Sequence, residues 1–493
     1  MSKLTSLILL VKSLSKSEKK ALTQHALQTE DNKLYLNLYD IIDKEKYASK
    51  DSITNIFQKK YPESSLIANV KYLFDLILHV IVDLSIKKDK EYELYNSYLK
   101  TKILRERGLY DDYLSLIQET KEKARDIGEY NLLLTLQREE LKSDSLDYFY
   151  DLKEDELYKK EQDIYDNIKI IRQINEQSFL FEMLRFKIEK HKSIETDKSY
   201  VYDDLLISEM TLVSSLKNEI FEINRQHQLF QASYFMGIGS YKSALNSFSE
   251  LNKLYLKNER IWSNHPISYV MILEGVLESL NRMRLFEEMR TYREQLLLLT
   301  EKYPSVGLVL EVYAIDFLYS VAPNMYNQEY KTCLNLINQY QDILIDKLLL
   351  LSPRLFLSVT ICLSGIYLMN KDLVKARKLL APIIRNNTYS SLKIFRSVQL
   401  LNLIIYYELE DTDYIEATIR SIKRKNKKLN KETQIEKFLF NYLEIEWKIL
   451  SKEKEDILKK RFRDKIMHTK YSIEDHQLMK VFDFTEWILI KLR

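Results

Sequence analysis

Residues 239–251 read GSYKSALNSFSEL. Tyr241, Ala244, Phe248 and Leu251 recur at steps of three and four, so they share one face of a helix. The couple Tyr241/Ala244 has a packing logic. Where two antiparallel helices cross closely one position must be slim, and a large residue one turn earlier fills the adjoining gap. Working outward, the same couple returns as Phe286/Met289, Tyr330/Cys333, Leu373/Ala376 and Tyr414/Ala417. Met289 is not small, but its unbranched thioether deforms to fit. The second members lie 45, 44, 43 and 41 residues apart. A constant spacing of roughly 20–50 residues marks a chain built from repeated supersecondary units. Later turns supply the same faces with Ile337 and Tyr340, and with Leu380 and Ile383.

Punctuation keeps the same period. Pro266, Pro304 and Pro353 each precede a long apolar-periodic segment, as for Pro in a first helical turn, where its missing N–H does no harm. Short polar breaks, GIGS at 237–240, MNKD at 369–372 and LEDTD at 409–413, divide each unit into two helices. The spacing predicts helix pairs over 220–258, 266–302, 304–345, 352–386 and 390–430, with a degenerate sixth at 432–468. One closing helix over 473–492 is expected to cap the stack with Phe482, Phe484, Trp487 and Ile488.

Gly239 in an inter-helix turn, followed by Tyr241, Ala244, Phe248 and Leu251 and preceded by Ala232 and Phe235, resembles the centre of a tetratricopeptide repeat. The run Leu363, Ser364, Tyr367, Leu373, Ala376, Leu380 and Ile383 is similar. The period exceeds the family's 34 residues, and the Trp and terminal Pro of its pattern are missing. The resemblance covers about half of the chain. It implies the bacterial kind of tetratricopeptide-like α-solenoid, whose concave, first-helix surface binds peptides or proteins.

Upstream, Gly108, Tyr110 and Tyr113 predict an earlier unit over 91–126, with Gly128 starting another helix, and 150–193 reads as one long charged helix. Residues 1–88 read as a separate bundle of about five helices. Ser15-x-x-Glu18 forms a capping box that opens the second of them, and Pro62 divides the last two. The expected organisation is therefore all-α: an N-terminal bundle (1–88), degenerate repeats (89–215), tetratricopeptide-like helix pairs stacked into a superhelix (216–470) and a capping helix (471–493).

Composition agrees. A chain of 493 residues exceeds one compact core, since cores stop growing near roughly 250–300 residues. With 7 Gly and 6 Pro it lacks the turn residues that sheets and nucleotide-binding loops demand. The 75 basic and 72 acidic residues leave no overall field for nucleic acid or an anionic membrane. Cys333 and Cys362 make no disulfide framework and no metal spacing, and read as small core residues of a reducing, cytoplasmic compartment. Leu4, Leu7, Ile8, Val11 and Leu14 keep the spacing of a packed helix, against a signal peptide. No membrane span is expected. The greasiest run, 72–86, has Lys71, Asp75, His79, Asp83 and Lys87 along one solvated edge.

No constellation carries chemistry. Gly237-Ile-Gly239 lacks the third Gly and the flanking strand of a phosphate cradle. Asp75, His79 and Asp83 share a helix face that Lys71 and Lys87 mark as exposed, and His468 and His476, with Glu474 and Asp475, straddle an inter-helix turn. Neither group has a metal-site spacing, so no metal, cofactor or catalytic residue is expected. Nucleic acid is the competing partner. Lys423, Arg424, Lys425, Lys427, Lys428 and Lys431 form one basic run, and Lys459, Lys460, Arg461, Arg463 and Lys465 another. Both lie near helix C-termini, where cations oppose the helix dipole. Region 49–70 has the outline of a helix-turn-helix, but its second helix offers only Asn69 and Lys71 to a base edge. The 35 tyrosines suit either packing or a recognition surface. The expectation is a non-enzymatic scaffold for a protein or peptide partner, its binding residues unassigned. The alternative is a regulator whose residues 1–88 contact DNA while its repeats bind a signal peptide.

Overall fold

A computed structural model describes residues 3–28, 34–45, 49–142, 153–190, 200–214, 220–385, 387–429, 433–445, 447, 450–469 and 471–492. These residues are predominantly helical, joined by short turns, with no strand among them.

The first five helices are α1 (Lys3–Ser13), α2 (Lys16–Gln28), α3 (Leu34–Lys44), α4 (Lys50–Lys60) and α5 (Leu66–Ile86). α5 packs against each of the other four. Leu7, Val11, Leu38, Ile42, Phe57, Leu73 and Ile77 bury one core there, so the apolar periodicity of residues 4–14 serves packing. The capping box closes both ways: the Ser15 N–H donates to the Glu18 carboxylate at 2.6 Å, and the Glu18 N–H to Ser15 Oγ at 3.3 Å. The bundle is less separate than its pattern suggests. α5 continues onto the next helix, and α1 touches the 3-10 turn at Ile345–Leu350.

Next come α6 (Lys90–Glu106), α7 (Tyr110–Ile127), α8 (Tyr130–Leu141), the 37-residue α9 (Glu154–Lys190) and α10 (Tyr200–Ser214). Gly128 ends α7 rather than starting a helix; α8 begins at Tyr130. The pairs that follow are α11 (Phe221–Gly237) with α12 (Tyr241–Lys257), α13 (Pro266–Arg282) with α14 (Phe286–Lys302), and α15 (Val306–Tyr326) with α16 (Tyr330–Gln339). Then come α17 (Pro353–Met369) with α18 (Leu373–Arg385), α19 (Phe395–Glu408) with α20 (Thr412–Leu429), and α21 (Gln434–Leu443) with α22 (Lys452–His468). Each helix from α11 to α19 packs on the one after it, and from α13 to α21 each first helix also packs on the next first helix.

The joints within pairs share one geometry. Gly108, Gly239, Arg284, Gln328, Lys371 and Glu410 all have positive φ, as does Gly128. The N–H after each closes on the carbonyl five residues back, for example Ser240 to Phe235 at 2.9 Å and Asp372 to Tyr367 at 2.9 Å. This is the Schellman ending of a helix, which needs one left-handed residue. Measured from that residue, the fifth position onward is always buried: Tyr113, Leu133, Ala244, Met289, Cys333, Ala376 and Ile415. The fifth couple inferred from sequence is therefore out of register. Ala417 is exposed, and Ile415 occupies the crossing that Ala244, Cys333 and Ala376 occupy elsewhere.

Other expectations need correction. Pro266 and Pro353 open their helices, but Pro304 lies before Ser305, whose hydroxyl caps α15 by accepting from Leu308 N–H at 3.4 Å. The closing helix is two short ones, α23 (Ile473–Leu478) and α24 (Phe484–Lys491). The stretch between them, 479–483, leaves helical geometry. Finally, although no membrane span is expected from the sequence, α15 is long and apolar enough to cross a membrane by length and composition alone. It is packed among α13, α14, α16 and α17. Its buried Asp316 accepts from Arg293 Nε at 2.7 Å, as in a core helix carrying a compensated charge.

Candidate functional site

α13 is apolar except along one edge, where Glu274, Glu278 and Arg282 stand one turn apart. The edge is held by its neighbours. Arg354, near the start of α17, grips Glu274 with two bonds of 2.6 and 2.7 Å, the fork geometry that makes such pairs specific. Arg282 Nε donates to Glu278 Oε1 at 2.9 Å, and the Tyr319 hydroxyl of α15 donates to Glu278 Oε2 at 2.9 Å.

The C-terminal segment lies across this edge and along the other first helices. Lys480 brings its ammonium to 3.4 Å from Glu278 and 3.9 Å from Glu274. Arg282 Nη2 donates to the His476 carbonyl at 3.1 Å, and Ser397 of α19 donates to the Leu478 carbonyl at 2.9 Å. Arg396 of α19 bridges Glu436 of α21, at 2.6 Å, and Glu474, at 2.7 Å. The Ile435 N–H of α21 donates to Asp475 at 2.9 Å. Trp487 Nε1 reaches Glu408, the last residue of α19, at 3.2 Å. Phe482 lies on Gly365 of α17, where a Cβ would fall 2.6 Å from the ring. These contacts all fall on first helices.

Burial by itself would raise the Glu278 carboxyl. Lys480 and Arg282, with the hydrogen bonds from Arg282 and Tyr319, instead hold it at about 2. The Tyr319 phenol is pushed well up by burial and by that carboxylate. Burial and Arg282 lower His476, against the pull of Asp475 and Asp483. A cavity of about 430 Å³ remains open beside the cluster, lined in part by Glu278, Arg282, Tyr326, Lys480, Phe482 and Asp483.

The residues singled out from sequence fall elsewhere or into structural roles. Gly237 is buried against Ile188, and Gly239 makes the left-handed turn. Asp75, His79 and Asp83 lie on the exposed edge of α5, His79 at 3.7 Å from Asp83. His468 ends α22, while Glu474 and Asp475 are engaged by Arg396 and Ile435, and no metal-holding group of His, Cys, Asp and Glu is found among the described residues. Cys333 and Cys362 are buried, and burial pushes the Cys333 thiol up to about 11.

The basic runs are partly consumed. Lys423 pairs with Glu444, Lys459 with Glu455, Arg463 holds the Leu492 carbonyl, and Lys465 lies over Phe438. Arg424, Lys425, Lys460 and Arg461 are exposed; the side chains of Lys427 and Lys428, and Lys431, lie outside the described residues. In region 49–70, α5 is the hub of its bundle, and Asn69 is spent on Ser64 and on the Ser65 carbonyl. Glu274, Glu278, Arg354 and Lys480 went unremarked in the sequence, although two glutamates one turn apart in an apolar helix were a visible signal.

No known protein-family model matches this chain, and no curated protein resembles it.

Proposed function

We propose that the protein is a non-enzymatic scaffold, a tetratricopeptide-like superhelical stack that binds a peptide or protein segment along its row of first helices. One observation carries the reading: that row already holds a stretch of chain the way a peptide groove does. It takes a lysine between two carboxylates, a phenylalanine against a bare glycine backbone, and carbonyls on Arg282 and Ser397. Anchoring side chains in pockets while fixing the backbone through a few polar groups is how helical grooves take extended partners. The recurrent left-handed turns and the packing of each first helix on the next favour a stack over a closed bundle.

Affinity capture at native expression, followed by cross-linking, tests the proposal. A reproducible partner cross-linked to residues of α13, α15, α17 or α19 supports it. No reproducible partner, or cross-links confined to second helices, overturns it. A salt-sensitive gel shift of the full chain on DNA would replace it with the regulator reading.

A further inference from the structure

Between α23 and α24, residues 479–483 (MKVFD) form a strap with no helical geometry of its own. Its two ends are fastened separately. α23 is fixed upstream by Arg396 and by the Ile435 N–H. Downstream, Asp483 caps α24 by accepting from the Thr485 and Glu486 N–H groups, and Phe484, Trp487 and Ile488 are buried in the core beyond. Within the strap, Lys480 sits at Glu274 and Glu278 and Phe482 enters the core at Gly365, while Met479 and Val481 pack partly buried beside it.

Both holding points are built from the receptor side. Arg354, Arg282 and Tyr319 fix the two carboxylates without help from the strap. The Phe482 notch exists because Gly365 has no Cβ in the middle of α17, a place where glycine costs helix stability. The cavity beside Lys480 leaves the strap with an open flank through which a competitor can approach.

We propose that the strap is a tethered occupant of a peptide-recognition site. The partner is a peptide with a lysine or arginine followed two residues later by phenylalanine, which displaces residues 479–483 and places its own cation on Glu274 and Glu278 and its ring on Gly365. The proposal rests on the scaffold reading and gives it a ligand class. It also makes binding self-limiting: the tether presents Lys480 and Phe482 at high effective concentration, so only a better-fitting or multivalent partner prevails.

The test uses the full chain and a fluorescein-labelled, end-blocked peptide of sequence HQLMKVFDF, copied from 476–484. The expected result in fluorescence anisotropy is that a Lys480→Ser/Phe482→Ala variant binds the probe at least tenfold more tightly than the wild-type chain. Replacing the probe's lysine by glutamate, or adding Gly365→Leu to the variant, should remove at least tenfold of that gain. A variant that keeps its helical circular dichroism and binds no better than wild type overturns the proposal.

Should the variant not fold, the wild-type chain decides. With saturating probe, acetylation of Lys480 measured by mass spectrometry should quicken at least threefold relative to the other lysines. An unchanged rate overturns the proposal. A probe that binds the wild-type chain while the acetylation rate of Lys480 stays as in the free chain also overturns it but leaves the scaffold reading standing, since that reading fails only by its own capture test.

Discussion

Adding one methyl group at Gly365 should change sign in its effect according to what stands at residue 482. A Cβ built there meets Phe482 Cδ2 at 2.6 Å, Cε2 at 3.1 Å and Cγ at 3.6 Å. Carbon atoms prefer about 3.5–4.0 Å, so the nearest atom of the ring must retreat by roughly 1 Å. The ring is 4% exposed and packs edge-on against Phe484 at 5.3 Å between centroids, which gives it little room. Overpacking of this kind costs about 1–3 kcal/mol. Against it stands the gain from replacing glycine by alanine inside a helix, about 1 kcal/mol. Gly365→Ala alone should therefore loosen the docked C-terminal segment by about 1 kcal/mol. In a Phe482→Ala background the clash is gone and the helix gain remains, so the same change should stabilise by about 1 kcal/mol, a coupling of about 2 kcal/mol. Hydrogen exchange of the helical amides over 484–492 reads this directly, as about a fivefold acceleration in one background and about a fivefold slowing in the other. If Gly365→Ala slows exchange in both, Phe482 does not rest on that backbone, and the strap's second holding point does not exist.

Four further outcomes follow from the same geometry. Ala376→Leu should cost about 1–3 kcal/mol, whereas Ala417→Leu should stay within about 0.5 kcal/mol, because only the first is buried at a crossing; thermal melts of the two variants compare them. Lys371 holds a φ of 61°, a left-handed conformation that only glycine adopts without strain, so Lys371→Gly should raise the melting midpoint by an amount worth about 1 kcal/mol. The Glu278 carboxyl sits at about 2 against an ordinary 4.5, so acid protonates the unfolded chain first; stability is full above about pH 4.5 and is lost as pH falls toward 2. That window is worth on the order of 3 kcal/mol, and urea midpoints of Glu278→Gln should flatten across it. Cys333 and Cys362 should resist a thiol reagent at pH 8 until denaturant is added, since both are buried and burial disfavours the thiolate.

The pair-by-pair helix organisation was legible because each element obeys local rules: apolar spacing, a polar break, a proline at an N-terminus. The ruler used to phase it was only partly the right one. A large residue three before a small one marks four crossings correctly, but the sequence near 414 offers that couple by coincidence, its Ala417 lying two residues past the buried Ile415. The dependable marker is the left-handed residue of each turn. It escapes a reading by type because Arg284, Gln328, Lys371 and Glu410 occupy it instead of glycine. The segment 130–215 stayed opaque for a different reason. α9 runs 37 residues without a break and α8 is only 12 residues long, so no constant period exists there to find. The site was less legible still, since its halves lie about two hundred residues apart and nothing local in MKVFD says that Lys480 will meet Glu278.

A charged edge on an otherwise apolar core helix has a thermodynamic implication for the proposed groove. Replacing buried ion pairs by apolar side chains of similar volume is often neutral or stabilising, so stability alone does not account for the buried Glu278 and Arg282 on α13. What such a cluster adds is selectivity. It makes the groove tolerant of a segment that brings a cation and intolerant of one that brings an apolar group or a carboxylate, because the latter leaves Glu278 desolvated beside an unmatched charge. The Gly365 notch discriminates by shape in the same way, because a flat ring lies directly against backbone where any Cβ would collide with it. The chain's own strap meets both requirements at the correct spacing. Phe482 shares one core with Phe484, Trp487 and Ile488, so apolar capping accounts for part of its burial. It does not account for Lys480 set against Glu274 and Glu278, and that is the detail the proposed recognition site explains.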